Sequence, residues 1–239
     1  MQISKRLEAV AGMVTSGYTV ADIGTDHAYI PIYLVENEKS NRVIAMDINK
    51  GPLLRAKDHI RQHQLCGCID TRLSDGLDAL EPDEAESIII AGMGGPLTVR
   101  ILENGRSKLG ACKELILQPQ SEIRSVRAYL EQSEYRIVRE EMVLEDGKYY
   151  PMMRAVKEAE QRKEETYTDG ELRYGRYLLR EKHPVLQQFL QHELELNGRI
   201  LSALKEETGE SAVSRRREVE TEIRIIEQEL EKYGKGTKE

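Results

Sequence analysis

From residue 19 to residue 117 the chain alternates short apolar runs with amphipathic stretches. The runs lie at 19–24, 41–47, 69–73, 87–91 and 115–117, and each reads as a strand. Helical spacing fills the intervals at 51–64, after Pro96 and at 121–132. An earlier helix over 2–14 places Ile3, Leu7, Val10, Ala11 and Val14 on one face, with Ser4 as its N-cap. The fourth run, Ser87-Ile88-Ile89-Ile90-Ala91, is apolar on both faces. Strands of that kind alternating with helices predict a parallel sheet covered on both sides.

After residue 132 the alternation stops. Two β-rich segments, 135–143 and 148–156, flank Glu145-Asp146-Gly147, and an Asp-Gly turn between such segments signals a hairpin. Pro151 has no N–H to donate, so it is expected at a bulge or an unpaired position. A parallel sheet finished by an antiparallel hairpin resembles the Rossmann-like methyltransferase fold. Dinucleotide dehydrogenase domains normally finish with parallel crossovers instead.

From about Glu158 the sequence turns highly charged and helical, with no strand-like run. Leu190, Leu194, Asn197, Leu201 and Leu204 form one heptad seam; Val219, Ile223, Ile226, Leu230 and Tyr233 form another. The Thr208-Gly209 pair between them predicts a hairpin of two antiparallel helices, with Asn197 at a core position where a polar residue fixes register. The expected organisation is therefore residues 1–157 as an α/β domain and 158–239 as a helical coiled-coil domain.

Composition narrows the setting. No run approaches the ~18 apolar residues of a membrane helix, and the start, Met1-Gln2-Ile3-Ser4-Lys5-Arg6, lacks the apolar core of a secretion signal. Three cysteines, Cys66, Cys68 and Cys112, without a CxxC pair suit reduced thiols and a cytoplasmic location. A net charge of −7 argues mildly against nucleic acid as partner, although Lys5, Arg6, Arg124, Arg127, Arg136, Arg139 and Arg215-Arg216-Arg217 can form local basic faces.

The chemistry gathers at strand ends. Asp22 and Gly24 close the first strand, Asp47 the second, and Ser74-Asp75-Gly76-Leu77 follows the third. In nucleotide-binding α/β folds the acid after the second strand accepts hydrogen bonds from ribose hydroxyls. Three acids at consecutive strand ends suit a cationic ligand with ribose and amine donors better than a pyrophosphate. The loop after the first strand holds one glycine, with Asp26 and Ala28 where a glycine-rich loop has its second and third. The fourth strand ends Ala91-Gly92-Met93-Gly94-Gly95-Pro96, without the Asn/Asp-Pro-Pro-aromatic segment that holds an exocyclic amine. That surface fits an acceptor attacking through a ring-nitrogen lone pair, and Gln118-Pro119-Gln120 adds amides at the same edge. His59 and His63, one helical turn apart, have no third ligand in view and read as surface histidines, so no metal is expected.

Ile3-Ser4-Lys5-Arg6-Leu7, Asp22-Ile23-Gly24-Thr25-Asp26-His27-Ala28-Tyr29, Ser74-Asp75-Gly76-Leu77, Ala91-Gly92-Met93-Gly94-Gly95 and Leu117-Gln118-Pro119 together resemble the bacterial tRNA (adenine(22)-N1)-methyltransferase family. The resemblance implies a class I methyltransferase domain that binds S-adenosylmethionine (SAM), followed by a coiled-coil hairpin. It implies methyl transfer to N1 of an adenine in the D-loop region of tRNA. Arg6, Asp22, Gly24, Thr25, Asp47, Ile48, Asp75, Gly76, Ala91, Gly92, Gln118 and Pro119 are the expected cofactor residues. Asp26, His27, Tyr29, Gly92 and Met93 are the expected catalytic residues, with Tyr29 and His27 stacking on or positioning the base. Lys5 and Arg6 are candidates for phosphate or the cofactor carboxylate. A monomer or weak homodimer is expected. The residues by themselves also leave open a methyltransferase for small molecules or proteins, and a SAM-binding RNA module without catalysis.

Overall fold

The computed structural model describes residues 1–158, 166–204, 207 and 209–234. The chain divides into two compact units, Met1–Thr166 and Tyr167–Glu239.

The first unit opens with α1 (Lys5–Gly12), capped by the Ser4 hydroxyl, which accepts from the Leu7 N–H. Then come β1 (Val20–Ile23), α2 (Tyr29–Glu36), β2 (Val43–Asp47), α3 (Lys50–Gln62) and β3 (Ile69–Leu73). β4 (Ser87–Met93), α4 (Gly95–Asn104), β5 (Glu114–Pro119), α5 (Ile123–Glu131), β6 (Tyr135–Glu145) and β7 (Lys148–Lys157) complete it. The seven strands lie in the order β3-β2-β1-β4-β5-β7-β6. The first five are parallel, and the β6–β7 hairpin adds antiparallel to β5 through β7.

β1, β2 and β5 are buried at every position, and Ile88, Ile89 and Ile90 of β4 are fully covered. Burial of each such side chain contributes about 1.5–3 kcal/mol, so this apolar centre holds the strand ends in place. Pro151 pairs with Met142 and lies beyond Met153, the last β7 residue on the β5 ladder; the bulge in the hairpin falls elsewhere, between Ile137 and Arg139.

The second unit contains α6 (Asp169–Tyr174), α7 (Arg176–Arg180), α8 (Pro184–Leu204) and α9 (Glu210–Gly234). A capping box between Thr168 and Glu171 starts α6. α8 and α9 pack on each other and bury Leu190, Asn197, Val219 and Ile226 of the two predicted seams. The seam positions between them, Leu194, Leu201, Leu204, Ile223, Leu230 and Tyr233, are half-buried. Asn197 donates to the Glu193 carbonyl of its own helix at 3.0 Å, a bond that by itself fixes no register with the facing helix. Of the predicted break, Thr208 lies outside the described residues. No described helix is long and apolar enough to cross a membrane.

Candidate cofactor and acceptor site

The strand order reverses between β1 and β4, which send their chains to opposite sides. In open α/β sheets a ligand crevice forms outside the carboxyl ends of the strands at such a point.

One half of this edge is acidic. Asp22 is buried at the end of β1, and burial pushes its carboxyl up to about 6; the Thr25 hydroxyl nearby opposes this and the Asp47 charge adds to it. Gly24 adopts φ +77°, and its N–H and that of Thr25 both donate to the Met46 carbonyl of β2, at 2.8 Å each. The chain thereby crosses the sheet edge with backbone alone. Asp47 accepts from the Asn49 N–H at 2.6 Å, which fixes its carboxylate at the lip, and the next side chain, Ile48, is 57% exposed. Asp75 is exposed after β3, on a turn held by the Ser74 hydroxyl, which donates to the Gly76 carbonyl and accepts from the Ala79 N–H.

The other half draws no ionisable side chain from its own strand ends, 91–95 and 118–120. Ala91 and Met93 are half-buried and flank a bulge, with Gly92 exposed between them at φ +83°. The Gln120 N–H donates to the Met93 carbonyl, and the Gly95 N–H to the Ser121 carbonyl. Gln118, fully buried beside Pro119, accepts from an Arg6 guanidinium nitrogen at 3.0 Å. That guanidinium also lies over the Tyr150 ring. Tyr150 was not among the residues expected here, since nothing in the hairpin sequence marks it as facing α1.

The loop between β1 and α2 carries the remaining candidates. Asp26 is exposed, and the His27 and Tyr29 rings stack at 5.3 Å with 15° between their planes. His27 and Ala28 both have left-handed backbones, and Ala28 starts α2 without a side-chain cap. Arg55 and His59 of α3 reach this loop. His59, expected as a surface histidine, is half-buried, with its ring 5.1 Å from His27 and 5.8 Å from Tyr29. The helical spacing could not reveal this, because the loop lies about thirty residues away in sequence. His63 instead meets Glu36 at 2.6 Å.

A donor-rich nucleoside cofactor fits these residues. One buried polar atom of the loop, His27 Nδ1, has no hydrogen-bond partner among the described residues. The bare Gly24 backbone, the lip carboxylates of Asp47 and Asp75 and the apolar face of Ile48 suit a ribose, an amine and a purine ring.

A family model for tRNA (adenine(22)-N(1))-methyltransferase matches residues 20–228. The chain belongs to this family. A Bacillus subtilis tRNA (adenine(22)-N(1))-methyltransferase is 42% identical over 153 residues, and that alignment spans 64% of each protein's length. The crystal structure of a B. subtilis m1A22 tRNA methyltransferase superposes with a TM-score of 0.85 at 32% identity, covering 96% of this chain and 99% of that one. A family relative from M. capricolum, solved with S-adenosyl-homocysteine, gives 0.82 at 26% identity, covering 97% and 99%. These structural likenesses run through both units of the chain. The family's cofactor is SAM, and the acidic lip is the part of this site that suits it.

Proposed function

We propose that the chain transfers the methyl group of SAM to N1 of adenine 22 in the D-loop region of tRNA. The observation that carries the reading is the division of the sheet edge: three carboxylates on one half, and no ionisable side chain at 91–95 or 118–120 on the other. SAM supplies a methyl group on a sulfonium, activated for attack. N1 of adenine already holds a lone pair, so the acceptor half needs alignment and no base.

Asp47 and Asp75 would receive the ribose and adenine donors, with Ile48 against the ring. Gly24, Thr25 and Asp22 would shape the loop beneath them, and Gly76 the turn beyond. Arg6 and Gln118, joined by their hydrogen bond, would border the carboxylate end of the cofactor, with Ala91 and Pro119 flanking them. Gly92 and Met93 would let the base come close, and Asp26, His27 and Tyr29 would receive it. N1 lies on the pairing edge, so the base must leave its stack to reach them.

The same reading takes residues 1–157 as the catalytic domain and 158–239 as a helical domain whose α8 and α9 form a coiled-coil hairpin that embraces tRNA, in a metal-independent, cytoplasmic monomer or weak homodimer. The test is methylation of an unmodified tRNA transcript with labelled SAM, followed by nucleoside analysis. We expect 1-methyladenosine at position 22, lost when that adenine is replaced. SAM binding with no methylated nucleoside would overturn the reading.

A further inference from the structure

The helix α3 supplies the loop with contacts that the assigned site does not include. Arg55 Nε donates to His27 Nε2 at 3.1 Å, and a second Arg55 nitrogen reaches Asp26 Oδ1 at 3.1 Å. Guanidinium nitrogens only donate, so His27 Nε2 must accept, and the ring proton of a neutral His27 sits on Nδ1. His59 Nδ1 lies 3.1 Å from the His27 carbonyl oxygen. A carbonyl only accepts, so His59 carries its proton there. One residue of α3 thus fixes the imidazole of His27, and another its backbone, at a left-handed position that costs roughly 1–2 kcal/mol in an L-residue.

We propose that Arg55 and His59 are positioning residues for the acceptor base. They hold the His27 ring in place with its Nε2 accepting, so that His27, Tyr29 and His59 present one aromatic shelf at the loop between β1 and α2. This rests on the proposed methylation of adenine. When the methyl group passes from sulfur to N1, the positive charge passes with it to the adenine ring. A neutral aromatic shelf attracts that charge through its π-faces, whereas an imidazolium would repel it. Arg55 keeps its own charge matched by Asp26.

The test compares wild type with Arg55→Ala, His59→Ala, His59→Asn and His63→Ala. His63→Ala alters the same helix outside the shelf. It reads kcat and KM for tRNA, SAM affinity by calorimetry, and the ring signals of His27 in 15N-labelled protein. We expect Arg55→Ala and His59→Ala to lower kcat about tenfold, with SAM affinity within about twofold of wild type. In His59→Asn the side-chain amide donates to the same carbonyl and recovers part of the loss; His63→Ala keeps wild-type rates. The His27 signals show one proton on Nδ1 in wild type and lose that pattern in Arg55→Ala.

Unchanged kcat in both alanine variants would overturn the proposal. So would a loss of SAM affinity in step with kcat, which would make α3 a plain support for the cofactor loop. If wild type forms no 1-methyladenosine, the methylation reading falls instead. The 15N signals still decide whether Arg55 sets the proton of His27.

Discussion

The two halves of the sheet's carboxyl edge solve opposite problems. On the β1–β2–β3 half each strand ends beside a carboxylate, one of them buried with its carboxyl pushed up to about 6. On the β4–β5 half the same positions carry glycines, a methionine and amides. The first half suits a ligand rich in donors; the second would leave a lone pair undisturbed.

Their glycines also differ in what crowds them. A Cβ on Gly24 would lie 2.2 Å from Met93 Cε, the far end of a flexible side chain. A Cβ on Gly95 would lie 2.6 and 2.7 Å from the carbonyl oxygens of Glu122 and Ser121, which are backbone. What crowds Gly24 is a side chain of the β4 half that can swing aside, and what crowds Gly95 is main chain that cannot.

The largest effect should come from the main-chain contact. Gly95→Ala forces α4 away from the start of α5 and should lower stability by about 3 kcal/mol, the upper end for overpacking. Urea unfolding measures it, and a loss below 1 kcal/mol would mean that main chain can yield after all. Next comes Asp22. Its carboxyl rises from 3.8 in the unfolded chain to about 6 in the folded one, so the fold binds that proton more tightly. Stability then falls as pH climbs from about 4 to about 6, and the full cost is present above that. Asp22→Asn removes the cost. The cofactor-free variant should exceed wild type by about 2–3 kcal/mol at pH 7, and by nothing below pH 4. Equal stabilities across pH 4–8 would show that Asp22 is not strained by burial.

Asp47→Ala should weaken SAM binding by about 1–3 kcal/mol, the loss expected when buried donors go unpaired. Calorimetry measures it, and unchanged affinity would remove the cofactor from this half. Gln118→Ala, on the β4–β5 half, releases Arg6 and should weaken SAM by no more than about 1 kcal/mol. A loss equal to that of Asp47→Ala would dissolve the distinction between the halves.

Much of this was legible in the sequence because central parallel strands are buried on both faces and read as continuous apolar runs. β3, at the edge, was still legible as a run even though only Ile69 is buried. The hairpin was readable from Asp146-Gly147, which sits at its turn with positive φ at both residues. α2 was harder: Tyr29-Ile30-Pro31-Ile32-Tyr33-Leu34-Val35-Glu36 is too uniformly apolar to show a helical face. Strand ends identify Asp22, Asp47 and Asp75, since each follows a run directly. Arg55, His59 and Tyr150 reach the site across the fold from exposed or half-exposed positions, and local spacing carries no trace of that.

The insertion of β7 between β5 and β6 has a consequence for synthesis on the ribosome. Glu114 is fully buried and accepts from the Thr15 N–H at 2.9 Å, the Thr15 hydroxyl at 2.7 Å and Arg154 Nε at 2.8 Å. Its cationic partner lies forty residues downstream, on the strand laid in last among its neighbours. A nascent chain that has made all five parallel strands still exposes the β5 edge and a carboxylate it cannot yet bury. Long-range pairings of this kind are slow to form. The sheet therefore closes only once Lys157 has been made, and its final hairpin acts as the latch.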